Sequence, residues 1–193
     1  MRLAILDSGH SFRMKGLFAL MRAASRLPVP DAVKLNRYRP DFYGTPMRVL
    51  TQEAMRGSSA WSIGDRELMG ACVSQMNECE VCTKTHGGVA ALAYGDAAKV
   101  SAALADLETA PIEEPLQVTL RILRKLTREH AVDVDDMRAV LAAGVSREQI
   151  EDALAVCFTF NIVDRLSRTF GFFVAGPKAF KAGARFLLAR GYR

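Results

Sequence analysis

Apolar residues recur along most of this chain at intervals of three and four, the spacing that lines one side of an α-helix. Leu116–Arg128 is the plainest case, with apolar residues at 116, 120, 123 and 126 and basic ones opposite. Punctuation agrees with the period. Thr45 followed by Pro46 predicts a helix start, Met47–Arg56 the body, and Gly57 the stop. Asp65 opens an apolar-rich stretch through Val73, and Asn77 interrupts it. A helix over Glu78–Tyr94 is then expected, with Asn77 as its N-cap and Gly95 past its end. Asp96 is set to cap a helix running to Leu107, and Asp133 one over Val134–Ala143 that Gly144 closes. Ser146 with Gln149 forms a capping-box pattern at the head of a long helix to about Phe170, and Gly176-Pro177 leads into a last one. Strand-like alternation is nowhere sustained, so the expected fold class is all-α.

Prolines divide this pattern unevenly. Residues 1–60 carry Pro28, Pro30, Pro40 and Pro46 and break into short pieces, read as an N-terminal helical extension packed on a main helical domain at 61–193. Too few apolar residues lie in the extension for a second core. Its basic amphipathic piece, Phe12–Leu27, suits docking on its own protein or a subunit neighbour better than a membrane surface. Thr109–Pro115, with two prolines, is the clearest connector within the main domain.

Composition adds exclusions. Half of the 193 residues are hydrophobic and 24% are charged, an ordinary globular profile. The net charge of +5 is spread along the chain without a block of one sign, so nucleic acid is not an expected partner. The densest basic stretch, Lys178–Arg193, reads as a solvated helix face. No apolar run approaches a membrane span, and the patch Leu3–Leu6 is too short for a signal peptide, so a cytoplasmic location is expected. Four cysteines are too few for a secreted disulfide scaffold; in a reducing compartment a close pair reads as redox-active or metal-binding.

That pair is Cys79 and Cys82, followed by His86. On one continuous helix the three fall within an arc of about 60°, so two sulfurs and an imidazole share a face. With Asn77 as cap, Cys79 would occupy the first helical turn, where the dipole favours a thiolate while Glu78 and Glu80 oppose it. A Cys-x-x-Cys spacing allows a disulfide across one turn, and His86 can hold or pass a proton. Zinc competes for the same ligands: two thiolates and an imidazole suit it, although only Glu67 or a water is at hand as a fourth ligand. A c-type haem site is excluded because Thr83 stands where the histidine is needed. Among the rest, Cys72 and Cys157 read as buried inert thiols, His10 and His130 as surface residues, and Trp61 as packing. Asp164 with Arg165 reads as a structural ion pair or a wall of the site.

Glu67 precedes Cys79 by twelve positions, giving Glu-x11-Cys-x-x-Cys-x-x-x-His across Glu67, Cys79, Cys82 and His86. This pattern resembles the alkylhydroperoxidase D group of the carboxymuconolactone decarboxylase superfamily. So do Val73–Asn77, Asn161–Leu166 and Phe170-Gly171, while Tyr38–Gly44 is similar to the longer, peroxidase-related members. The resemblance implies an all-helical homo-oligomer that reduces peroxides with no bound cofactor, drawing electrons from an external dithiol reductant. By the same analogy Cys82 carries the sulfenic acid, Cys79 resolves it, and Glu67 with His86 relays protons. One departure is Val81, where the alkylhydroperoxidase D proteins have a histidine just before the second cysteine.

Overall fold

A computed structural model describes residues 1–192. It contains eleven α-helices and one short π-helical turn, with no β-strand among the described residues. In chain order they are α1 (Ile5–Ser8), α2 (Phe12–Ser25), α3 (Asp31–Tyr38), the π-helical turn (Pro40–Gly44), α4 (Thr45–Arg56), α5 (Ile63–Met76) and α6 (Glu80–Tyr94). There follow α7 (Ala97–Ala105), α8 (Glu114–Glu129), α9 (Val134–Ala142), α10 (Arg147–Phe170) and α11 (Pro177–Arg190). The all-α class is therefore observed. None of these helices is long and apolar enough to cross a membrane.

The organising element is α5. Its residues Arg66 to Ser74 are buried without a break, because α4, α6, α7, α8 and α10 surround it. A helix buried on all sides shows no amphipathic stripe, which is why periodicity alone describes α5 poorly. Its start is defined by a capping box: Ser62 accepts from the Asp65 backbone N–H, and the Asp65 carboxylate accepts from the Ser62 N–H. Asp65 is thus the third residue of α5 and not its opening cap. The core closes around Leu68, Met69 and Val73 of α5, Leu120 and Leu123 of α8, and Val156 and Phe160 of α10. From α4, Ala54 and Met55 join this core.

Gly70 lets α10 approach α5. A Cβ there would stand 2.7 Å from two ring atoms of Phe160, a separation real Cβ atoms do not adopt. The capping box at Ser146 and Gln149 starts α10 as its sequence indicates, and Gly171 closes it in a left-handed conformation.

The α5–α6 junction departs from expectation. Asn77 closes α5, its N–H donating to Val73 O at 3.0 Å, and its side chain turns to Asn161 and Asp164 instead of capping α6. Glu78 takes a left-handed φ of 52°, and α6 begins only at Glu80 with Cys79 in the N-cap position. Similarly, Thr45 lies inside α4, because the π-helical turn runs directly into it and leaves no N-terminus to cap. His10, expected at the surface, is buried edge-on against the rings of Phe18 and Tyr38. Its aromatic partners lie on α2 and α3, beyond the range of a local pattern.

Candidate functional site

Two buried polar clusters flank the start of α6. The first centres on Glu67, carried by the middle of α5 and fully buried. One carboxylate oxygen, Oε2, lies 2.8 Å from His86 Nδ1 on α6. The other, Oε1, takes a 2.6 Å ion pair from the Arg56 guanidinium at the end of α4 and a 2.8 Å hydrogen bond from the Tyr192 hydroxyl. Tyr192 Oη also lies 3.1 Å from His86 Nδ1, its ring stacks on the imidazole, and Arg56 sits over its face. Burial pushes the Glu67 carboxyl up. The hydrogen bond and charge of His86, joined by Arg56, outweigh that and hold it below its usual range. An ionised Glu67 accepts from Nδ1–H, which leaves the imidazole Nε2 as the basic nitrogen. The Phe160 ring stands edge-on to the imidazole at 4.5 Å and limits its movement.

The second cluster holds the sulfurs. Cys79, Cys82 and Asp164 are all buried, and the two Sγ atoms and a carboxylate oxygen lie within 4.8 Å of one another. Asp164 enters from α10, where its fully buried carboxylate accepts from Ser74 Oγ at 2.9 Å and from Asn77 Nδ2 at 3.0 Å. Ser167, one turn later on α10, places its Oγ 3.7 Å from Cys82 Sγ. The left-handed Glu78 turns the chain so that Cys79, though outside α6, still presents its sulfur to Cys82. Its backbone is tied at both ends: Cys79 N–H donates to Ser74 O at 2.8 Å, and Cys79 O accepts from Thr83 N–H at 2.9 Å. Arg168 braces the turn by donating to Asn77 O at 2.9 Å and to the Glu78 carboxylate at 3.0 Å.

Electrostatics here run opposite to the first cluster. Contact with Cys79, burial and the negative charge of Asp164 hold the Cys82 thiol well above the usual thiol range. Burial raises Asp164 despite its hydrogen bonds from Asn77, Cys82 and Ser74. On the π-helical turn, burial, joined by Cys82, pushes the Tyr43 phenol up to about 12.

All four residues singled out from the sequence therefore lie in this region, but they divide into two groups. Glu67 and His86 form a hydrogen-bonded pair, and Cys79 and Cys82 a sulfur pair. The ligand set expected for zinc is not what the fold assembles. His86 turns Nδ1 to Glu67, and the third group at ligand distance from both sulfurs is Asp164. The reading of Asp164 as an ion-pair partner of Arg165 is likewise corrected, since its partners are Ser74 and Asn77. Three contributors carry no sequence signal of their own: Arg56, Tyr192 and Ser167. Arg56 and Tyr192 sit in ordinary surface-like text and reach Glu67 only because α4 and α11 pack beside α5 and α6. The basic tail is thus more than a solvated face; its last residue, Arg193, lies outside the described residues. Cys72 and Cys157 are buried, as expected, and Trp61 packs in the core with Nε1 donating to Gln149 O at 2.8 Å.

No family model and no curated sequence matches this chain. Solved structures do. An uncharacterized peroxidase-related protein from Silicibacter sp. TM1040 superposes with a TM-score of 0.78 over 95% of each chain, at 19% identity. An alkylhydroperoxidase AhpD core, an uncharacterized peroxidase-related protein from Ralstonia eutropha JMP134, superposes with a TM-score of 0.73 over 92% of each chain, at 18% identity. The fold of this chain is that of the alkylhydroperoxidase D core.

Proposed function

We propose that a chain with this fold and this pair of buried clusters is a thiol-dependent peroxidase, working as a dithiol–disulfide oxidoreductase through Cys82 and Cys79. One observation carries the reading: a fully buried, ionised Glu67 holds the His86 imidazole at 2.8 Å on the same helix that presents Cys82. The two structural neighbours, both peroxidase-related proteins, point the same way.

The chemistry follows from the groups present. Cys82 is a poor nucleophile as it stands, because Cys79, burial and Asp164 disfavour its thiolate. A base must take its proton, and His86, oriented by its hydrogen bond to Glu67, is the group suited to do so. The thiolate then attacks one oxygen of the hydroperoxide and the O–O bond breaks. The departing alkoxide collects a proton from the imidazolium, leaving Cys82 as a sulfenic acid and an alcohol as product. Cys79 attacks the sulfenic sulfur, water leaves, and a Cys79–Cys82 disulfide remains. An external dithiol returns the pair to the reduced state by two exchange steps. The substrate is a small-molecule peroxide, and the reaction needs no bound organic cofactor. We read the protein as a cytoplasmic homo-oligomer with an antioxidant role.

Free thiols titrated before and after one equivalent of hydrogen peroxide, with the products mapped by mass spectrometry, test this directly. The expected result is rapid loss of two thiols and a Cys79–Cys82 link. Cys82→Ser abolishes peroxide consumption; a variant that turns over like the wild type ends the assignment.

A further inference from the structure

We propose that the reduced protein binds a divalent transition-metal ion of the zinc type through Cys79, Cys82 and Asp164, and that oxidation of the cysteine pair releases it. The two sulfurs and the carboxylate oxygen lie within 4.8 Å of one another in a buried cluster. Tetrahedral zinc places its ligands at about 2.0–2.3 Å from the ion, so three atoms this close can share one ion with small side-chain adjustments. Two thiolates and one carboxylate are borderline-soft donors. They suit Zn²⁺ or Co²⁺, and not Mg²⁺ or Ca²⁺, which take sets of oxygens.

Three further features argue for a built site. The carboxylate is oriented on both oxygens, by Ser74 on one and Asn77 on the other, as the outer partners of metal ligands are. Cys79 is held in a turn outside α6 by backbone hydrogen bonds on either side, so the backbone that carries its sulfur is set before any ion arrives. The fully deprotonated cluster carries three negative charges in a site with almost no solvent exposure. Protons can neutralise it, and a divalent cation cancels two of the three charges while contacting all three groups at once. The fourth position falls to water, with the Ser167 hydroxyl beside Cys82 as a hydrogen-bond partner.

Binding is tied to redox state by electron count. Each thiol surrenders its proton as the ion enters. A disulfide has no thiolate to donate. A hydroperoxide reacting with the loaded pair takes two electrons from the sulfurs and two protons from solvent. Its O–O bond breaks, the S–S bond forms, and alcohol, water and the free ion leave. The release step with peroxide rests on the peroxidase reading; binding to the dithiol does not.

The experiment is an anaerobic titration of the full-length, reduced protein with Co²⁺, followed by its thiolate charge-transfer band and the visible bands of tetrahedral Co²⁺, then displacement by Zn²⁺. About one ion per chain is expected. Asp164→Asn should weaken binding by roughly tenfold or more, with a changed visible spectrum, whereas His86→Ala should leave affinity and spectrum as in the wild type. Absence of a thiolate–Co²⁺ band in the reduced wild type overturns the proposal, independently of how any variant folds. So does loss of the band in His86→Ala, which would place the imidazole and not the carboxylate on the metal. Oxidation of the loaded protein with diamide, a general thiol oxidant, should release the ion. Release by diamide but not by hydrogen peroxide supports the metal site while counting against the peroxidase reading.

Discussion

Glu67 and Asp164 are both carboxylates with no solvent exposure, on neighbouring helices of one site, and they are pushed in opposite directions. Burial alone raises both. Around Glu67 the partners are a guanidinium, an imidazole and a phenol hydroxyl, and charge reverses the effect of burial. Around Asp164 they are a serine, an asparagine and two thiols, all neutral or potentially anionic, and burial prevails. The lesson is that depth does not decide the ionisation of a buried acid; the charge of what touches it does. It also divides labour. An acid kept ionised orients a base, while an acid beside sulfurs makes their thiolates costly until a proton acceptor or a cation arrives.

The sharpest way to break this contrast is to neutralise each acid in turn. Glu67→Gln should cost about 3–5 kcal/mol, because it leaves the Arg56 guanidinium buried without its counter-charge. Asp164→Asn should cost only about 1 kcal/mol, since its hydrogen-bond partners are neutral. Denaturant unfolding of both variants checks the difference, and equal losses would contradict the account. Peroxide consumption should fall by about 10²–10⁴ in Glu67→Gln if the imidazole is the working base.

pH sharpens the same point. Glu67 has a folded-state pKa below its ordinary 4.5, so it contributes stability that is present above that value. That contribution is lost as pH falls from about 4.5 through the lower folded pKa. Wild-type stability should therefore decline over this acid window, and Glu67→Gln should show a shallower decline there, read from unfolding midpoints at a series of pH values.

A steric probe comes next in size. Gly70→Ala forces the Phe160 ring away from α5, toward the imidazole it flanks, and overpacking of this kind costs about 1–3 kcal/mol. Activity should fall with stability in that variant, and unchanged melting would mean the helices separate freely. The smallest effect belongs to Tyr192→Phe, which keeps the stacked ring and removes only the hydroxyl between Glu67 and His86. A loss of about 1 kcal/mol is expected, measured by thermal unfolding alongside the peroxide assay.

Much of the fold was legible because helix boundaries are written locally. Ser146 with Gln149, Asp133 before Val134 and Asp96 before Ala97 each cap a helix where the sequence indicates one, because a cap needs only residues two or three positions apart, and Pro177 after Gly176 starts α11 through its fixed φ at the first helical position. The helix boundary at the α5–α6 junction was misread because one residue had two possible neighbours. Asn77 looks like the head of α6, yet it ends α5 and spends its side chain on Asp164, and the chain must pass through a left-handed Glu78 before α6 can start.

The sequence by itself determined the all-helical class, the position of the cysteine pair and His86 as a residue to watch, since each of these depends on spacing along one chain, while the resemblance singled out Glu67. Only the tertiary structure decided the partners. It joined His86 to Glu67 and placed Asp164 of α10 beside the sulfurs, 82 positions beyond Cys82. It also brought Arg56 and Tyr192 from opposite sides of the sequence onto one carboxylate. Those contacts fix the ionisation of each group, and Coulombic energy in a low-dielectric interior depends on distance in space, which no local pattern encodes.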